Sequence, residues 1–117
     1  HQLFNDTKKS NSEVERNRNI SREFKLLAVR NNIPVIDITA ATMDDISDQD
    51  APPLLSQVAW SKAIEYDADM AMAVHRNPDS NIIEVVSRKN RHGTEFAFYL
   101  DWDINRGIVT EIYDPNN

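Results

Sequence analysis

The spacing of the apolar residues changes between residues 14 and 41, and the change falls at Asn31-Asn32-Ile33-Pro34. Upstream, in NSEVERNRNISREFKLLAVRNN, the residues Val14, Ile20, Phe24, Leu27 and Ala28 approximate one face of an α-helix. Ser12 with Glu15 three residues on has the form of a capping box. This predicts a helix from about Ser12 to Arg30. The paired asparagines can close that helix, and Pro34 cannot extend it. Downstream, PVIDITAA is rich in β-branched residues with proline at its entrance, which predicts a short strand. A helix passed into a strand through so short a link is the rhythm of an α/β fold.

The segment TMDDISDQDAPP is polar and closed by two prolines, and reads as a surface loop. Its Asp44, Asp45, Asp48 and Asp50 raise the question of calcium. An EF-hand loop needs glycine at its sixth position and a bidentate glutamate at its twelfth, and neither is present, so these acids read as solvated. LLSQVAWSKAIEYDAD predicts one or two short helical turns on a loop, and MAMAVH a buried strand whose methionines fill a core. NIIEVVSRK and EFAFYLDW predict two further strands flanking NRHGT, a glycine-containing hairpin turn. GIVTEIY is a last strand, reached through the turn DINRG. The order is one helix, then strands, with an antiparallel hairpin late in the chain.

At 117 residues, 40% of them hydrophobic, residues 1–117 have the size of a single domain with material for one core. Cysteine is absent, so there is no disulfide framework and no thiolate metal site, and a reducing, cytoplasmic setting is expected. No window approaches the roughly 20 consecutive apolar residues of a membrane span, and HQLFNDTKKS lacks the apolar core of a signal peptide, so no membrane partner is expected. A start at His1, with Leu3 and Phe4 close behind, leads to the expectation that the chain is a portion of a longer polypeptide.

Charge lies in blocks. From Lys8 to Arg30 there are seven Lys or Arg against three Glu (+4). From Asp37 to Asp69 there are eight acids against Lys62 (-7), within a formal net charge of -6. The acidic total argues against simple electrostatic coating of nucleic acid, while leaving room for a local basic surface that touches phosphate.

Four groups of residues could carry chemistry. Arg88, Lys89 and Arg91 sit at a strand end and its turn. Strand alternation is expected to send Lys89 and Arg91 to one face and Arg88 to the other. A hairpin presenting a Lys and an Arg together suits a phosphate on another molecule, and a charged turn that keeps a sheet edge soluble explains the same residues. Glu65, Asp67 and Asp69 cluster ahead of a strand, where carboxylates can bind Mg²⁺ or act as acid and base. The Glu-x-Lys partner of a metal-dependent nuclease is missing, however, because Glu84 and Lys89 are five apart, and turn chemistry accounts for the acids more simply. Trp60 with Lys62 in VAWSKA could stack on a base and grip a phosphate, or Trp60 could pack against its own domain. His75 and His92 form no recognisable ligand pair, so no metal is assigned to protein ligands, and no G-x-S-x-G context supports acyl chemistry.

Taken together, NNIPVIDITAA, PPLLSQVAWSKAIEYDADMAMAVHR and IIEVVSRKNRHGTEFAFYLD resemble the C-terminal half of the RecA-type motor domain in DnaB-family replicative helicases, phage versions included. The family shows a helix, a segment like NVPVIALSQ, then LSDLRESGAIEQDAD leading into an apolar strand, then AKQRNG at a hairpin. The order is kept from about Ser12 to Asp101. The most specific piece is SxAIExDAD, formed by Ser61, Ala63, Ile64, Glu65, Asp67, Ala68 and Asp69.

The resemblance implies a partial RecA-like P-loop NTPase fold with mostly parallel strands and a late antiparallel hairpin. It implies a parent that is an ATP-dependent helicase moving on single-stranded DNA as a ring of identical subunits, commonly six, with a loader or primase as further partner. By the same resemblance Lys89 and Arg91 stand where a Lys and an Arg reach across a subunit interface to the γ-phosphate held by the neighbour, the role of an arginine finger. Ala59, Trp60 and Lys62 stand in the loop that lines the pore and follows the DNA backbone, where the family commonly has Arg, Glu and Gly. Lys62 restores a cation there. Ala40 replaces a nucleotide-sensing Gln, so that coupling here would differ or use Thr39 or Thr42. The P-loop pattern G-x-x-x-x-G-K-[ST] is not found in the 117 residues, so ATP and Mg²⁺ would be bound by other parts of the parent and the chain alone is expected to be inactive. The rival readings are a non-catalytic RecA-like adaptor or loader and a small metal-dependent nuclease using Glu65 or Asp69.

Overall fold

A computed structural model describes residues 12–41, 51–57, 61–76 and 79–114. In chain order these form helix α1 (Glu13–Asn31), a single 3-10 turn (Leu55–Gln57), helix α2 (Ser61–Asp67) and strands β1 (Met70–Arg76), β2 (Ile82–Asn90), β3 (Ala97–Asp103) and β4 (Ile108–Ile112). They fall into two compact units, one holding α1 and α2 and the other holding residues 51–55 and the four strands.

Helix α1 begins and ends on its own side chains. The Ser12 hydroxyl accepts the Glu15 N–H at 3.2 Å, and the Ser12 carbonyl accepts that of Arg16 at 3.0 Å. Such a cap stabilises a helix by about 1 kcal/mol. Glu13 and Glu15 in the first turn and Arg30 in the last complement the helix dipole. At the other end Asn32 takes the left-handed conformation (φ 51), which asparagine tolerates. The N–H groups of Asn32 and Ile33 both reach the Ala28 carbonyl, and Asn31 Nδ2 donates to the Leu27 carbonyl at 2.9 Å.

The buried face of α1 is rotated from the expected stripe. Ile20 is buried together with Asn17 and Ser21, while Val14 and Leu27 are exposed. The two polar residues can be buried because each finds a carbonyl. Asn17 Nδ2 donates to Glu13 O at 2.8 Å, and Ser21 Oγ donates to Ala63 O in α2 at 3.4 Å.

The strand expected over PVIDITAA is not formed, since residues 33–40 carry no helix or strand. Ile36 and Ile38 are 87% and 83% exposed, so their side chains lack the cover that makes an apolar segment a stable strand.

In the second unit the sheet order is β1-β2-β3-β4 and all three pairings are antiparallel, where mostly parallel strands were expected. The short connections account for this, because parallel neighbours need crossovers of a dozen or more residues and these strands follow one another through turns. The register aligns Val74, Val85 and Phe98 across three strands in one row, and His75, Glu84 and Tyr99 in the next. Successive rows point to opposite faces, and Ala73 and Val85 are the buried apolar residues of the sheet. The four strands lie within two residues at each end of the segments the sequence predicts.

Among the described residues no helix is long and apolar enough to cross a membrane.

Candidate functional site

The β2–β3 turn is closed by side chains. Asn90, at the end of β2, donates from Nδ2 to the Thr94 carbonyl at 2.8 Å and accepts the His92 N–H on Oδ1 at 3.4 Å. This explains Gly93, because a Cβ there would meet Asn90 Nδ2 at 2.9 Å and push it off Thr94.

Arg91 is the first residue past the strand. Its N–H donates to the Asp69 carbonyl at 2.9 Å and its Nη1 meets Asp69 Oδ1 at 3.0 Å. The second acid of the DAD triplet thus holds the arginine of the turn at backbone and side chain. Both side chains remain more than two-fifths exposed, at 42% and 45%. An ion pair that wet contributes only about 0.2–1 kcal/mol, enough to orient the guanidinium without sequestering it.

Lys89 is half-buried in β2 opposite Ala71. Strand alternation does not extend to Arg91, which lies one residue outside β2, and the register slips before Lys89, between Ala71, which faces Lys89, and Met72, which faces Ser87. Arg88 is therefore the extra residue of a β-bulge. Ser87, 1% exposed, spans the bulge with Oγ donating to the Lys89 carbonyl at 3.4 Å, and its N–H donates to Phe96 O at 2.8 Å. Arg88 donates from Nε to Pro53 O at 3.0 Å and from Nη2 to Pro52 O at 2.7 Å.

Of the DNA-loop residues, Lys62 is exposed on the first turn of α2, and Ala59 and Trp60 lie outside the described residues, as do Thr42 and Asp44 to Asp50. Ala40 is exposed. Thr39 Oγ1 is enclosed with no hydrogen-bond partner among the described residues. Among those residues no group of three or more His, Cys, Asp or Glu could hold a metal ion, so Glu65, Asp67 and Asp69 do not assemble the centre that a nuclease would need.

Elsewhere in the sheet Tyr99 OH donates to Glu84 Oε1 at 3.5 Å. Partial burial, then the nearby carboxylates of Glu84 and Asp114, push the Tyr99 phenol up from its ordinary value. The sequence reading missed Asn90 and Ser87, and it named Arg88 without its bonds to Pro52 and Pro53. The spacing of Asn90 and Gly93 in the turn could have signalled the Asn90 bonds, but nothing local announces that Arg88 is bonded to residues 35 and 36 positions away.

Chemically, this end of the sheet offers a fixed, surface guanidinium with a lysine two residues before it, suited to an anion presented from outside. Residues 1–106 match the family described as DnaB-like helicase C terminal domain. The chain is 30% identical over 115 residues to a probable plasmid replicative DNA helicase of Chlamydia psittaci, covering 93% of this chain and 25% of that protein. It is 36% identical over 95 residues to the replicative DNA helicase DnaB of Geobacillus stearothermophilus, covering 72% and 21%. Among solved structures it resembles an ATPase domain with a TM-score of 0.85 at 26% identity, over 96% of this chain and 42% of that one. It also resembles a DnaB-like replicative helicase studied with primase, with a TM-score of 0.83 at 27% identity, over 93% and 28%. The chain thus spans about a quarter of the length of the curated relatives it matches. The α/β architecture is that of part of a RecA-like ATPase domain.

Proposed function

Because the chain belongs to the DnaB-like helicase C-terminal domain family, we propose that it is the part of an ATP-dependent replicative helicase that offers a cationic turn to a nucleotide bound by an identical neighbour. In the same reading its segment around Lys62 meets single-stranded DNA. The observation that carries the reading is the placement of Arg91, held at backbone and side chain by Asp69 yet open to the surface. A guanidinium positioned in advance costs little reorganisation when charge builds on a transferring phosphoryl group, and a finger of this kind is worth about 10³–10⁵ in rate. The exposed pairing with Asp69 is weak enough to be exchanged for the more highly charged phosphate oxygens.

Lys89 is the second cation of the site. Mg²⁺ and the phosphate cradle would come from residues other than these 117, which contain no P-loop sequence. Because Arg91 acts on a neighbour's nucleotide, hydrolysis is tied to assembly of a ring, taken here as a hexamer of identical subunits. A primase or loader is a partner of that ring.

The test is Arg91→Ala in the helicase polypeptide that carries the chain. ATPase activity falls by at least a thousandfold while a fluorescent ATP analogue still binds. Wild-type ATPase in the variant removes Arg91 from the mechanism, and absence of ATPase from the wild type favours a non-catalytic adaptor.

A further inference from the structure

The Arg88 bulge carries an inference that rests on the helicase reading and goes beyond it. A bulge re-aims one side chain at a cost in ladder regularity, and here the re-aimed side chain is an arginine that spans two successive carbonyls. Pro52 and Pro53 have no N–H groups, so their carbonyls are the only backbone handles they offer, and two prolines in succession hold those handles in a stiff geometry. A planar guanidinium matches such a pair where a lysine, a point donor, does not. The bulge is itself braced by the buried Ser87 hydroxyl on the Lys89 carbonyl.

We propose that Arg88 is a positioning residue that joins the segment leading to the DNA-facing loop to the strand leading to the cationic turn. One residue after Arg88 stands Lys89, and three after it Arg91. Two residues after Pro53 the chain enters the 3-10 turn Leu55–Gln57 and then α2 with Lys62. The two sets of residues assigned to DNA and to nucleotide therefore extend from the two sides of one clamp, and displacement of residues 52–53 pulls on the strand that sets Lys89 and Arg91. In this way occupancy by DNA adjusts the placement of the turn.

The experiment compares wild type, Arg88→Ala and Arg88→Lys in the same helicase polypeptide. ATPase kcat is measured with and without a saturating oligo-dT strand, and amide hydrogen exchange is measured over residues 54–57 and 91–94. Melting temperatures identify any variant that has lost its fold, and Arg88→Lys keeps the side-chain stem and one donor should Arg88→Ala do so. The expected result is a DNA-stimulated to basal kcat ratio reduced at least fivefold in Arg88→Ala and partly restored in Arg88→Lys, with exchange rising in both segments together. An unchanged ratio, or basal and stimulated rates falling in parallel, overturns the proposal, because a merely structural role predicts those outcomes. If the wild type shows no DNA-stimulated ATPase, the helicase reading fails and exchange alone decides the link. Faster exchange confined to residues 54–57 then rejects it, and faster exchange in both segments retains it.

Discussion

Two turns of the sheet, β2–β3 and β3–β4, each set an arginine against an aspartate, and they are built on opposite plans. The β3–β4 turn closes on local chemistry. Asp103 accepts the Arg106 N–H at 3.1 Å and pairs loosely with its side chain at 3.9 Å, and Gly107 supplies the left-handed residue (φ 66) that lets the strand return. The β2–β3 turn needs no left-handed residue. It is tied to Asp69, 22 positions away, and its strand is tied to Pro52 and Pro53 through Arg88. A turn that only has to reverse the chain can be self-sufficient. A turn whose side chain must stand at a fixed point is held from outside, and the difference in bracing distinguishes the two arginines better than their charge does.

The sharpest way to break this comparison is to remove each arginine in the helicase polypeptide. Arg91→Ala is expected to lower DNA-stimulated ATPase by about 10³-fold or more, the range of a lost arginine finger, and Arg106→Ala to leave it within twofold. Steady-state phosphate release measures both, and equal rates in the two variants would erase the distinction between the turns. Lys62 extends the contrast to an exposed cation on a seven-residue helix. Lys62→Ala should weaken oligo-dT binding several-fold and reduce the slope of log K against log salt by about 0.7, the share of one single-strand phosphate. Fluorescence anisotropy at several salt concentrations gives the slope, and an unaltered one assigns Lys62 to structure.

The glycines sharpen the comparison at a smaller scale. Gly107→Ala puts a Cβ on a left-handed residue and should cost about 1–2 kcal/mol of stability with ATPase intact. Gly93→Ala displaces the Asn90 amide from Thr94 and should cost only about 0.5–1.5 kcal/mol, yet it should slow ATPase because the turn that carries Arg91 loosens. Urea unfolding beside ATPase assays separates the two. The expected pattern is a crossing one, with the larger stability loss at residue 107 and the larger activity loss at residue 93.

How much of this was legible follows the same division. The Ser12 cap, the Asn31-Asn32 stop, the four strands and both turns were readable because each rests on residues within a few positions of one another. The Arg88 bulge and the burial of Ser21 against Ala63 were not, since they depend on partners far along the chain. PVIDITAA shows the converse failure. Its β-branched residues have the propensity for a strand, but propensity alone does not make one, and Ile36 and Ile38 stand at the surface. The candidate site was legible as a set of cations at a turn, and the family motif weighted that reading over a merely soluble edge. Its physical organisation, with Asp69 fixing Arg91, emerges only from the fold.

The smallest effect concerns the frame that both turns share. Tyr99 lies in β3 between them, its phenol pushed up by partial burial and by Glu84 and Asp114. A phenol whose pKa is raised in the folded chain binds its proton more tightly there than in the unfolded chain. Its contribution to stability is therefore complete below about pH 10, the ordinary tyrosine value, and is lost as pH rises through the folded value. Wild type should lose stability above about pH 10 more steeply than Tyr99→Phe, with no difference between them near neutrality beyond the lost Glu84 hydrogen bond. Urea midpoints across that alkaline range measure it. Because Tyr99 is bonded to Glu84 in the middle of the sheet, ATPase at neutral pH should be the same in both proteins. A Tyr99→Phe variant that lost activity would mean that the frame between the turns, and not the bracing of one of them, sets where Arg91 stands.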